Sequence, residues 1–336
     1  MYAPTLNTSN FGKKNPNYIY QKSNYYYKVL SWFSEYEDEL FIKSLDSIFA
    51  INPNYYAVVK MNGYSFNFDD KGKIVASSIY DRTAFRDRKI NNLRPLLSQM
   101  QMFADKSKFL EFYRQNNSAY VEQINFYGDT LDLPEMQKWL NTNFPEASDF
   151  DCYNIILSPL VSYNQSSTWF ESNGFKELHA HVNFPYNQDF KRLDPISKQA
   201  KNIYMGNIVF TEINHGYLNS EDEKYKKRIA GSVSNRDIWV DSTVGPNYYA
   251  GPRVFNEYMN WGLISLRIVD YVDESEQEKL IARVERSMVR GRKFIKFNEF
   301  NQFLVSIYRN KNEGETVADL YPQIIDWFAI NNQKDN

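Results

Sequence analysis

A chain of 336 residues that is 43% hydrophobic and 17% aromatic holds enough apolar material for a large core, which argues against a disordered chain. Its charge is nearly balanced, at −2, and no basic cluster forms, so nucleic acid and anionic membrane surfaces are not expected partners. The single cysteine, Cys152, excludes an internal disulfide, and no run of about 18 apolar residues predicts a transmembrane helix.

Residues 1–17 are polar and read as a flexible N-terminal arm. The start lacks the basic and apolar regions of a signal peptide. Apolar periodicity from Tyr25 to Leu45 predicts two helices, at about 24–36 and 38–49. Tyr56 to Met61 reads as β-like, and Tyr64 to Ser78 as a hairpin turned at Asp69-Asp70-Lys71-Gly72. A long helical stretch follows, within which Asp132-Leu133-Pro134-Glu135 opens a helix with proline at an early position.

Tyr153 to Leu160 predicts a buried strand, and Glu177 to Pro185 an edge strand ended by proline. Beyond these, helices are expected at 207–218, 221–233 and 254–269, with a Gly/Pro-punctuated loop over 237–252. The 254–269 helix is apolar enough to be buried. Three more helices fill 274–289, 297–309 and 316–330. The sum is a helix-rich α+β chain with a small sheet. It is divided as arm (1–17), helical region with hairpin (18–150), catalytic region (151–290) and C-terminal helices (291–336).

The informative segment is Thr211-Glu212-Ile213-Asn214-His215. A zinc-peptidase helix carries two histidines at i and i+4 on one face, with a glutamate at i+1 as general base on the metal-bound water. Here the glutamate and the second histidine are in register, and Thr211 stands in the first histidine's place. Glu257 follows His215 by forty-two positions, inside Phe255-Asn256-Glu257-Tyr258-Met259-Asn260-Trp261. These segments, with Ile155 to Leu160 and the Tyr25 to Phe33 opening, resemble an uncharacterised family of zincin-like metallopeptidases, often exported bacterial proteins. The resemblance covers roughly residues 20–290. It implies a zincin-like fold, a peptide or protein substrate, zinc or another divalent metal, and export. By position it implies Glu212 as the catalytic glutamate and His215 and Glu257 as metal ligands.

Thr211 is a poor zinc ligand, so the residues leave three options. Glu212 and His215, at i and i+3, can themselves form a metal pair with Glu257. His179 and His181, at i and i+2 on a strand, point to one side and can supply the missing imidazole; the plain alternative is two partly exposed surface histidines. Or the metal is lost and the chain is a non-catalytic peptide- or glycan-binding protein on a degenerate peptidase scaffold. Tyr248 and Tyr249, in the Gly/Pro loop, are candidate oxyanion donors. No glycine-rich phosphate loop and no Gly-x-Ser-x-Gly elbow is present, which excludes nucleotide-binding and serine-hydrolase signatures.

Overall fold

The computed structural model describes residues 9–52, 55–77, 91–147, 150–162, 165–172, 174–183, 196–244 and 251–332. Among them, 16 helices and two small sheets make a helix-rich α+β fold. None of these helices is long and apolar enough to cross a membrane. The chain divides into two units, residues 1–128 with 150–187, and residues 129–149 with 188–336. The strands around His179 therefore group with the N-terminal helices, whereas the expected catalytic region placed them with the helices after residue 188.

The first unit opens with α1 (Asn10–Lys14), within the expected arm. Ser9 caps it, the Asp46 carboxylate accepts the Asn10 and Phe11 amides at 3.0 Å each, and Phe11 packs on Phe49. A side chain and a neighbouring helix thus satisfy the orphan donors of the first turn. α2 (Asn24–Phe33) and α3 (Leu40–Ile51) follow as the periodicity predicts.

Tyr55–Asn62 forms α4, a helix where a β-like segment was expected. Tyr56, Val59 and Lys60 fall at i, i+3 and i+4 and are all buried, so a helical stripe outweighs the β propensity of two valines. The hairpin is as expected: β1 (Phe66–Phe68) pairs antiparallel with β2 (Ile74–Ala76). Asp69 Oδ1 accepts the Lys71 and Lys73 amides in the turn, and Gly72 supplies φ +78. α5 (Leu97–Lys106), α6 (Phe109–Gln115) and α7 (Asn117–Thr130) complete the helical wall. Phe33, Phe41, Phe103 and Phe112 form its aromatic core.

The main sheet holds β3 (Cys152–Ser158), β4 (Ser166–Ser172) and β5 (Phe175–Asn183) in the order β3-β5-β4. β5 is the centre of the sheet, parallel to β3 and antiparallel to β4, not the edge strand expected from Pro185. The ladder of β5 with β3 runs through Asn183, and Pro185 lies outside the described residues. Leu178, Ala180 and Val182 are fully buried on one face of β5.

Among its described residues the second unit holds the helices α8 (Leu133–Asn143), α9 (Lys198–Met205), α10 (Asn207–Lys224), α11 (Lys226–Ser232), α12 (Arg236–Trp239), α13 (Pro252–Tyr271), α14 (Glu274–Arg286), α15 (Phe297–Arg309) and α16 (Val317–Asn331), with one isolated bridge between Val240 and Phe294. Asp132 caps α8 by accepting the Glu135 amide, with Pro134 in the first turn, as the sequence predicts. α13 is the buried axis, packed by α9, α10, α14 and α15. A Cβ on Gly262 would come within 2.6 Å of Leu304, so the glycine permits the close approach of α13 and α15. Around Tyr258, whose hydroxyl donates to the Trp239 carbonyl at 2.8 Å, gather Trp239, Phe294, Phe300 and Phe328.

Candidate functional site

In the second unit the motif residues Glu212 and His215 lie on α10 and Glu257 on α13, two helices packed on each other. Thr211 turns its hydroxyl back to the Ile208 carbonyl at 2.8 Å, the local bond that helical threonines favour. Its oxygen is thereby engaged within its own helix. Glu212 is buried.

His215 is held at both ring nitrogens by amides from α13. The Asn260 side-chain nitrogen is 2.7 Å from Nε2, and Asn256 Oδ1 is 3.0 Å from Nδ1. Nε2 is then the acceptor and Nδ1 carries the proton. Asn256 and Asn260 reach the same ring because i and i+4 share a helix face. The chain of bonds continues in one direction. Asn256 Nδ2 donates to Asp222 Oδ2 at 2.7 Å and to Asn219 Oδ1 at 3.1 Å, and the Tyr321 hydroxyl donates to Asp222 Oδ1 at 3.0 Å. Burial pushes the Asp222 carboxyl up to about 6, against the hydrogen bonds from Asn256 and Tyr321, which pull it down. A relay ending on a carboxylate thus ties α10, α13 and α16 together.

These residues fit a metal poorly as they stand. A metal-bound imidazole presents one ring nitrogen to the ion and the other to a second partner. Both nitrogens of His215 already meet amides. Glu257 lies 3.8 Å from the Arg292 guanidinium, which also stacks 4.4 Å over the Trp261 ring. Among the described residues, no group of three His, Cys, Asp or Glu side chains is placed to hold a metal ion. Tyr248 and Tyr249 lie outside the described residues.

In the first unit His179 and His181 share one face of β5, as their spacing predicts. They are buried, at 4% and 5% exposure, rather than partly exposed. His179 Nε2 meets the Asn154 amide nitrogen at 3.0 Å, from the paired position on β3. The ring of Tyr64, just past α4, stands edge-on to both histidines, with centroids 5.9 and 5.7 Å away. Burial, followed by the charge of Lys60, holds His181 well below the usual imidazole range, so the ring is neutral at pH 7.

Beside this face is a cavity of about 620 Å³. Phe66, Phe68, Phe109, Phe112 and Tyr113 supply aromatic wall, and consecutive residues Ile155 to Leu160 supply the side beside β3. The partial exposure of Ile155, Ile156 and Leu157, in a strand expected to be buried, is explained by their lining this cavity. Lys60, Tyr64 and His181 also line it. The residues missed by motif reasoning are thus Lys60 and Tyr64 here, and Asn256, Asn260 and Asp222 in the second unit. A lysine within the apolar run Tyr56 to Met61 was the available signal for the first, and asparagines at i and i+4 in an apolar helix for the second.

Compared with known protein families, curated proteins and solved structures, the chain matches none.

Proposed function

We propose that this chain is a non-catalytic binding protein that takes a small, largely apolar group into the cavity of its first unit. The cavity carries the reading: about 620 Å³ falls within the size range of small-molecule pockets, roughly 300–1,000 Å³, and its walls combine apolar surface with a few polar groups. The second unit supports it as well, because the His215 relay engages in helix-to-helix bonds the imidazole that a peptidase would turn toward a metal.

Titration with a neutral solvatochromic dye such as Nile red tests this on the full chain. Saturable one-to-one binding is expected, weakened at least about tenfold by Ile155→Trp, which fills the cavity, with the melting temperature kept. Absence of saturable binding, or binding indifferent to Ile155→Trp, overturns it.

The competing reading is a metal-dependent peptidase or amide hydrolase with Glu212 as base and His215 and Glu257 at the metal. The packing of α10 on α13, which brings those two elements together, is its support. It requires one of the amides on His215 to be displaced. Metal content of protein purified without chelators, paired with peptide-library cleavage by wild type and Glu212→Gln, decides it. The binding reading expects far less than one metal per chain and no difference between the two proteins. Stoichiometric metal with cleavage abolished by Glu212→Gln would establish the hydrolase.

A further inference from the structure

β4 is an edge of the main sheet. It pairs with β5 on one side, and among the described residues no strand pairs with the other. Which backbone groups face that open side follows from the ladder. Lys176 donates its amide to the Asp151 carboxylate, and its carbonyl accepts the Asp151 amide, so its backbone groups point to the β3 side of β5. Strand residues alternate, so Glu177, His179 and His181 turn theirs to β4, in hydrogen-bonded pairs with Phe170, Thr168 and Ser166. The residues between, Ser167, Trp169 and Glu171, turn their amides and carbonyls to the open side. Such a row templates another strand, and natural edges are blunted by lysine, proline or a bulge. β4 has none of these: it carries neither lysine nor proline, its register with β5 is unbroken, and Trp169 at its centre is 42% exposed.

We propose that the open side of β4 pairs with β4 of a second copy of this chain, antiparallel across a two-fold axis at Trp169, joining two three-stranded sheets into one. The strand is its own complement in this register. Trp169 meets the Trp169 of the second copy, and Ser167 meets Glu171 on both sides of the axis. All three outward-facing residues then occupy hydrogen-bonded positions, as an antiparallel ladder requires. Glu171, the one charged residue of the strand, faces serine and not its own copy, so no like charges oppose. Moving the register by one residue sets outward-facing groups against inward-facing ones, and moving it by two pairs one of the three with a position outside the strand. A two-fold contact closes at two copies. One strand per copy makes a small interface, so association is expected at about 10–100 μM.

Sedimentation equilibrium of the full chain from about 1 to 300 μM tests this, with the mass expected to rise from one chain toward two. Ser167→Pro removes an outward-facing amide and leaves the bonds to β5 intact. It should weaken association at least about tenfold at an unchanged melting temperature. Trp169→Lys, which sets like charges across the axis, should do the same and serves if the proline variant fails to fold. Cross-linking in a Cys152→Ser background reads the register. The Cα atoms of a hydrogen-bonded pair stand about 5.5 Å apart, within disulfide reach. Trp169→Cys should therefore form covalent dimers on mild oxidation, and Glu171→Cys, roughly 14 Å from its copy, should not. A single chain over the whole concentration range overturns the proposal. So does association unchanged in whichever variant folds, or cross-linking as ready at Glu171→Cys as at Trp169→Cys.

Discussion

Replacing Arg267 by alanine is expected to cost about 3–5 kcal/mol of unfolding free energy, a large fraction of any domain's stability. Arg267 emerges from α13 at 2% exposure, and its Nη2 donates to Glu135 Oε2 on α8. Its guanidinium also lies 4.5 Å over the Phe210 ring of α10. One side chain therefore joins three helices of the second unit through charge and through its planar face. Burial lowers the affinity of the guanidinium for its proton, and Glu135 counters that effect. Removing the arginine strands a partly buried carboxylate and opens a void against Phe210. Glu135 retains some contact with solvent, which favours the lower end of the range. Urea unfolding of Arg267→Ala, Arg267→Met and the double variant Arg267→Met/Glu135→Met separates the contributions. Methionine alone should recover the packing but not the pairing. The double variant should recover most of the loss, because an apolar pair replaces a buried ion pair at little net cost. A loss below about 1 kcal/mol in Arg267→Ala would show that the pair is not a determinant of stability.

Most of the helices were legible because each buries a stripe at helical spacing, and α13 and the three C-terminal helices fall close to the expected spans. The hairpin was legible from the φ requirement of Gly72 and the capping capacity of Asp69. β5 was misplaced at an edge because proline was weighed without knowing where the ladder ends. α4 was misread because Tyr56, Val59 and Lys60 form a stripe too short to outweigh local β propensity before its partners are known. For the candidate site, the sequence singled out His215 but not the amides that occupy it. Whether an imidazole faces an ion or an asparagine depends on which face of α13 meets α10, a property of packing rather than of either helix alone. His179 and His181 were correctly placed on one face. Their burial, and the Lys60 and Tyr64 corner beside them, arise from a contact between α4 and the sheet that spans more than a hundred residues of chain.

The stability of the second unit is expected to rise as pH falls from 7 to about 4 by an amount that Asp222→Asn abolishes. The native carboxyl is pushed up to about 6 from an ordinary value of 3.8. Between those values the native state holds a proton that the unfolded chain has released, so acidification favours the native state. A shift of this size corresponds to at most about 3 kcal/mol, and the partial solvent contact of Asp222 reduces the expectation to roughly 1–3 kcal/mol. In the asparagine variant one amide oxygen still accepts from Asn256, and the amide nitrogen can donate to the Tyr321 hydroxyl. The relay then keeps its connections while losing its charge. The quantity to measure is the difference in urea-unfolding free energy between wild type and Asp222→Asn at pH 4, 5, 6 and 7, in which contributions from the other carboxylates cancel. Wild type should gain on the variant steadily on acidification through that window, and the difference should level off below about pH 4. A difference independent of pH would mean that Asp222 titrates as an ordinary surface carboxylate. The chain of bonds from Asn260 through His215 to Tyr321 would then not end on a buried charge, and the case for His215 as a purely structural group would lose its strongest physical support.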